Sequence, residues 1–165
     1  MIDRSAADSS RQIPLADETA TQDLAQGLAR VVHPGDVIAL YGDLGAGKTS
    51  FARGFIRGFL GQELEVPSPT FTLVQIYEGA RGVIWHIDTY RLKHPDEVWE
   101  LGIEDALLDG ILLIEWPERL GPHLPKRRLD LSLTPGPAAT ARVAELTDRG
   151  GSDLCLRLQQ EGYPS

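Results

Sequence analysis

Asparagine is absent from the 165-residue chain, and with it the N-K-x-D element through which regulatory GTPases read guanine. Asp148–Gly151 spells D-x-x-G, but near the C-terminus, out of the order those proteins need. A single cysteine, Cys155, cannot form an internal disulfide, which points to a reducing compartment. Basic residues are few: 16 Lys and Arg stand against 24 Asp and Glu, a formal charge of −8. Direct binding of nucleic acid through a broad surface rests on neutralising phosphates. No strong surface of that kind is expected here, and a role in nucleic-acid metabolism would run through a partner. No apolar run approaches the roughly 20 residues of a membrane helix, and the start of the chain has no apolar core of a secretory signal. The expectation is a cytoplasmic globular chain whose length suits one domain.

The organisation expected from pattern is a loose leader over 1–12, one domain over 13–147 and a tail over 148–165 that could add an edge strand. Ile13–Leu15 reads as a short edge strand. Thr19 and Gln22 have capping-box spacing, after which Leu24, Leu28 and Val31 recur at helical period until Pro34–Gly35. Asp36–Tyr41 is a buried strand, Gly42–Thr49 a glycine-rich loop, and Ser50–Leu60 a helix. Val66–Thr70 is held extended by two prolines. Phe71–Tyr77 and Val83–Asp88 read as strands about a Glu78–Gly82 turn. Asp96–Leu108 forms short helices broken at Gly102, and Ile111–Trp116 is a central strand. The chain is loop-like from Pro117 to Arg128. Leu129–Thr134, Arg142–Leu146 and Leu154–Leu158 alternate like half-exposed strands. Together these predict an α/β fold with a central mixed, largely parallel sheet.

The chemistry lies in Gly42–Thr49, which fits G-x-x-x-x-G-K-[ST]. Polyphosphate needs several backbone N–H groups converging on it, and side chains would block that approach. The helix that follows aims its unpaired amides and positive dipole end at the same anion. Lys48 is expected to reach the β- and γ-phosphates, and the Thr49 hydroxyl to ligate Mg²⁺. A second acid is needed at the end of a neighbouring strand. Glu115, after four aliphatic residues, and Asp88, after Val83–Ile87, are both candidates. His86 reads as a packed or hydrogen-bonding strand residue, and Trp99 and Trp116 as core or interface filler. Ser68-Pro69-Thr70 is either a proline-stiffened strand entry or a segment that senses the γ-phosphate.

With these residues in view, the sequence resembles the TsaE (YjeE) family, small ATPases of bacterial tRNA threonylcarbamoyladenosine biosynthesis. The carriers are GDLGAGKTSFARG (Gly42–Gly54), SPTFTLV (Ser68–Val74), HIDTYRL (His86–Leu92), LGIED (Leu101–Asp105) and IEWPER (Ile114–Arg119). The resemblance implies a single three-layer domain of the P-loop NTPase type that binds and slowly hydrolyses ATP to ADP with Mg²⁺, alongside TsaB and TsaD. By that likeness Gly45, Ala46, Gly47, Lys48, Thr49 and Ser50 bind the triphosphate, and Thr49 with Glu115 holds the metal. Asp88 organises catalytic water or the metal, with Lys48 and Glu115 completing the catalytic set. Thr70 sits in the switch-like segment, Glu18 near the nucleotide, and a further contact near Ala141–Arg142. A non-catalytic nucleotide-sensing scaffold and a small-molecule kinase are the alternatives.

Overall fold

Two runs, Val37–Leu40 and Ile111–Ile114, have no polar face to offer water. Both must therefore lie mid-sheet with a layer on each side. In the computed structural model, which describes residues 10–67, 69 and 73–163, they do: every residue of both runs is buried. The strands are β1 (Ser10–Leu15), β2 (Val37–Tyr41), β3 (Val74–Gly79), β4 (Gly82–Asp88), β5 (Ile111–Glu115), β6 (Arg128–Pro135) and β7 (Arg142–Arg149). They form one seven-stranded sheet in the order β1-β7-β6-β2-β5-β4-β3. The sheet is mixed, as expected, but its parallel character is confined to the middle. β6–β2, β2–β5 and β5–β4 are parallel, while β1–β7, β7–β6 and β4–β3 are antiparallel.

Alternation along the central strands sends successive side chains to opposite faces. Ile38, Leu40, Ile111 and Leu113 meet α1 (Glu18–Val31), α2 (Lys48–Leu60) and α4 (Leu154–Gln160) through Leu24, Leu28, Phe51, Phe55 and Leu158. Val37, Ile87, Leu112 and Ile114 meet Val98, Ile103, Ala106 and Leu120. These come from a 3₁₀ segment Pro95–Leu101, α3 (Ile103–Asp109) and a second 3₁₀ segment Pro117–His123. Three layers result. Gly102, at φ +83, breaks the first of these segments from α3, as its position suggested.

Four expectations are corrected. Asp17, not Thr19, caps α1: its carboxylate accepts from the Ala20 N–H at 2.9 Å, while Thr19 is already helical. An acid there also faces the positive end of the helix dipole. Ser10–Gln12 is not leader but part of β1, paired with Glu145–Thr147. The stretch after Pro117 is not simply loop, since it contains the 3₁₀ segment. The tail adds a helix, not an edge strand. Leu154, Leu156 and Leu158 alternate, but Cys155 is buried and Leu156 is 51% exposed, the helical choice of face. α4 then packs into the same core as α1, so the chain shows no break at 147. Residues 1–9, Ser68 and Phe71–Thr72 lie outside the described residues, as does the candidate Thr70.

Candidate functional site

The glycine loop joins the end of β2 to the start of α2. Gly42 takes φ +151, and a Cβ there would lie 3.1 Å from the Leu133 carbonyl and 3.0 Å from the Ala46 methyl. Only glycine lets β6 and the loop approach so closely. Gly47, at φ +105, caps α2 without any side-chain bond to the helix amides, so those N–H groups remain for an anion. The outer side of the loop is braced instead. Arg142 donates from Nε to the Ala46 carbonyl at 3.0 Å and from its guanidinium to the Gly45 carbonyl at 3.1 Å. Arg142, in the Ala141–Arg142 stretch where a nucleotide contact is expected, thus bonds the loop itself.

The two candidate acids arrive side by side. β4 and β5 are parallel, with Asp88 opposite Glu115, so their side chains share a face. Alternation puts that face toward α2, the side on which Ile84, Ile111 and Leu113 pack. Both acids are buried, at 4% and 5% exposure, yet both line one cleft of about 350 Å³ with Gly45, Gly47, Lys48 and Thr49. The Asp88 carboxylate accepts from the Tyr90 N–H at 2.9 Å. Glu115 Oε2 is 2.7 Å from His86 Nε2. His86 is thus a hydrogen-bonding strand residue, as read from its position.

Lys48 is 6% exposed. Its Nζ has no hydrogen-bond partner among the described residues and lies 3.3 Å from the centroid of the Trp116 ring. Burial pulls its pKa below the ordinary lysine value, against the opposing charges of Glu115, Glu118, Asp88 and Asp43. Trp116 was expected to be filler. It is a wall of the cleft, in left-handed backbone at φ 58, which a bulky residue rarely adopts. Thr89 explains how: its hydroxyl bonds the Glu115 carbonyl at 2.9 Å and the Trp116 carbonyl. Tyr90 packs on the indole at 5.0 Å between centroids. No local sequence signal announces this clamp.

On the other side of the loop a second cleft of about 450 Å³ is lined by Asp17, Glu18, Ser50, Thr140 and Arg142, among others. Ser50 Oγ donates to Glu18 at 2.8 Å. The structure therefore brings Glu18 beside Gly45, Gly47 and Ser50, and Asp88 and Glu115 beside Lys48 and Thr49. The donor set suits a polyphosphate: bare amides, a buried ammonium with three unspent donors, and a hydroxyl. Among the described residues no group of three His, Cys, Asp or Glu could hold a metal alone. A magnesium ion does not need one, since it binds through one or two protein oxygens plus substrate phosphates. No helix among the described residues is long and apolar enough to cross a membrane.

Residues 15–143 match the family described as threonylcarbamoyl adenosine biosynthesis protein TsaE. A tRNA threonylcarbamoyladenosine biosynthesis protein TsaE from Rickettsia felis is 48% identical over 63% of this chain, which spans about three fifths (61%) of that relative's length. A protein of the same name from Nostoc sp. is 39% identical over 88% of this chain and 91% of its own. The crystal structure of YdiB from Bacillus subtilis superposes with a TM-score of 0.78 at 29% identity, covering 96% of this chain and 99% of that one.

Proposed function

The chain belongs to the TsaE family, and on that footing we propose that it is a Mg²⁺-dependent ATPase serving threonylcarbamoyladenosine formation in tRNA, its turnover gated by docking on TsaB- and TsaD-type proteins. The observation that carries the reading is Lys48, a buried ammonium without a hydrogen-bond partner at the mouth of an amide-lined loop. The Trp116 ring offsets the burial of this ammonium without giving it a hydrogen bond, and a phosphate chain in the loop supplies the missing acceptors.

In this reading the Gly45–Ser50 segment takes the phosphates through the N–H groups left unpaired at the start of α2, and Lys48 leaves Trp116 to reach them. Thr49 and Glu115 would hold Mg²⁺, which neutralises phosphate charge when bound. Asp88, beside Glu115, orients the attacking water. Glu18 and Ser50 border the nucleotide on the opposite side of the loop, and Thr70 belongs to the segment that follows α2. Phosphoryl transfer asks mainly for positioning and charge stabilisation, so no covalent intermediate is required. The net charge of −8 suits a protein that acts on a tRNA-modifying assembly rather than on tRNA itself.

The test is to incubate the protein with γ-labelled ATP, alone and with TsaB- and TsaD-type proteins, and to follow the label. Release as free phosphate, faster with the partners, is the expected result. Label on a metabolite would make it a kinase, and tight binding with no phosphate release would make it a scaffold.

A further inference from the structure

Glu115 ends a strand whose other side chains are all aliphatic, so nothing on β5 itself fixes its carboxylate. What fixes it comes from β4. His86 stands opposite Leu113 in the β4–β5 register, and its ring reaches along the shared face to Glu115, two residues on. The contact is 2.7 Å and both side chains are almost fully buried. A carboxylate offers no N–H or O–H, so the imidazole donates from Nε2. His86 Nδ1 is buried without a partner among the described residues.

This is a poor arrangement for a core-filling residue. His86 is 1% exposed, and a leucine would fill comparable space without an orphaned nitrogen. The polar property that the site uses is the bond to Glu115. It commits Oε2 and restricts the side-chain torsions, leaving Oε1 for the cleft that Glu115 lines with Lys48 and Thr49. Groups that hydrogen-bond a metal-ligating side chain orient it and set its affinity.

We propose that His86 is the positioning residue for Glu115, holding one carboxylate oxygen so that the other is presented to a nucleotide-bound divalent cation. The inference rests on the function proposed above. It is tested by titrating Mg²⁺ into the protein with the β,γ-imido analogue of ATP and following analogue affinity by calorimetry. His86→Gln keeps an N–H near the Nε2 position, whereas His86→Asn is polar but too short to reach Glu115. Gln is expected to stay within about threefold of the wild-type Mg²⁺ half-saturation, and Asn to need about 10- to 100-fold more Mg²⁺. Metal-free analogue affinity should match in all three proteins, whereas the unfolding temperature of His86→Asn should fall, since its buried amide lacks a partner. If Asn equals wild type, or if it loses metal-free binding as well, His86 is a packing residue and the inference is overturned. If the wild type itself shows no Mg²⁺ enhancement, the metal-dependent reading of the site fails first, and this inference with it.

Discussion

Replacing Lys48 by Met separates what the ammonium does for binding from what it does for folding. Without nucleotide, Nζ lies 3.3 Å from the Trp116 ring centroid and has no hydrogen-bond partner among the described residues. A buried unsatisfied donor costs about 1–3 kcal/mol, and a desolvated cation–π contact returns about 0.5–2 kcal/mol. The two nearly cancel. Met keeps the apolar stem, so the unfolding free energy should change by less than about 1 kcal/mol, measured by urea denaturation. With nucleotide the same group makes charge-assisted hydrogen bonds of about 1.5–3 kcal/mol each. Two of these, less the lost ring contact, leave about 1–5.5 kcal/mol, or about 5- to 10,000-fold weaker ADP binding by calorimetry. Burial depresses the Lys48 pKa below 10.5, so in the alkaline window beneath that value the unfolded chain binds more protons. Wild-type stability relative to Lys48→Met should therefore rise with pH there. Unchanged ADP affinity, or a stability loss above about 2 kcal/mol, would refute the reasoning.

Gly42→Ala should weaken ADP binding at least about tenfold while the far-ultraviolet circular dichroism stays unchanged, because the added methyl presses on the Leu133 carbonyl and the backbone sits in left-handed territory. Arg142→Ala removes the bonds to the Gly45 and Ala46 carbonyls and should cost about 1–2 kcal/mol of ADP affinity; no loss would mean the loop holds its shape unaided. Asp36→Asn should destabilise the fold by about 3 kcal/mol, since the carboxylate accepts from Arg157 at 2.9 Å and from the His33 N–H at 2.7 Å. Burial opposes ionisation of Asp36, but Arg157, the His33 amide and Arg127 outweigh it and hold its pKa below 3.8. The wild-type advantage should be complete above pH 3.8 and shrink as pH falls through the lower, folded-state value. Urea denaturation across that range reads it, and a constant difference between the two proteins would be the contrary result.

What the sequence made legible was local. The glycine loop, the acids at the ends of β4 and β5, and the Gly102 break are each a run of a few residues whose types are fixed by one backbone demand. What it hid was of two kinds. Leu154–Leu158 is too short for the two periods to differ, and only burial of Cys155 against exposure of Leu156 decides between them. The Arg142 brace and the Thr89 clamp join residues far apart in the chain, and neither residue type carries a pattern that names its acceptor. The place of Trp116 in the cleft wall is hidden for the same reason: Thr89 holds its carbonyl through a bond invisible in the order of residues.

The convergence of the site nonetheless follows from strand directions alone. β6, β2, β5 and β4 run parallel, so their carboxyl ends open on one edge of the sheet, where open α/β sheets bind ligands. The glycine loop leaves β2 there, and Glu115 and Asp88 end β5 and β4 at the same edge. Were β4 antiparallel to β5, Asp88 would lie at the opposite edge. The antiparallel strands contribute by the reverse rule. β7 runs against β6, with Arg142 opposite Pro135, so the beginning of β7 faces the loop and its first residue becomes the brace. β1 runs against β7, with Leu15 opposite Arg142, so its end faces the same edge and delivers Asp17 and Glu18 to the second cleft. Reversing any one of these pairings would remove a named residue from the loop's surroundings while leaving every local motif in the sequence intact.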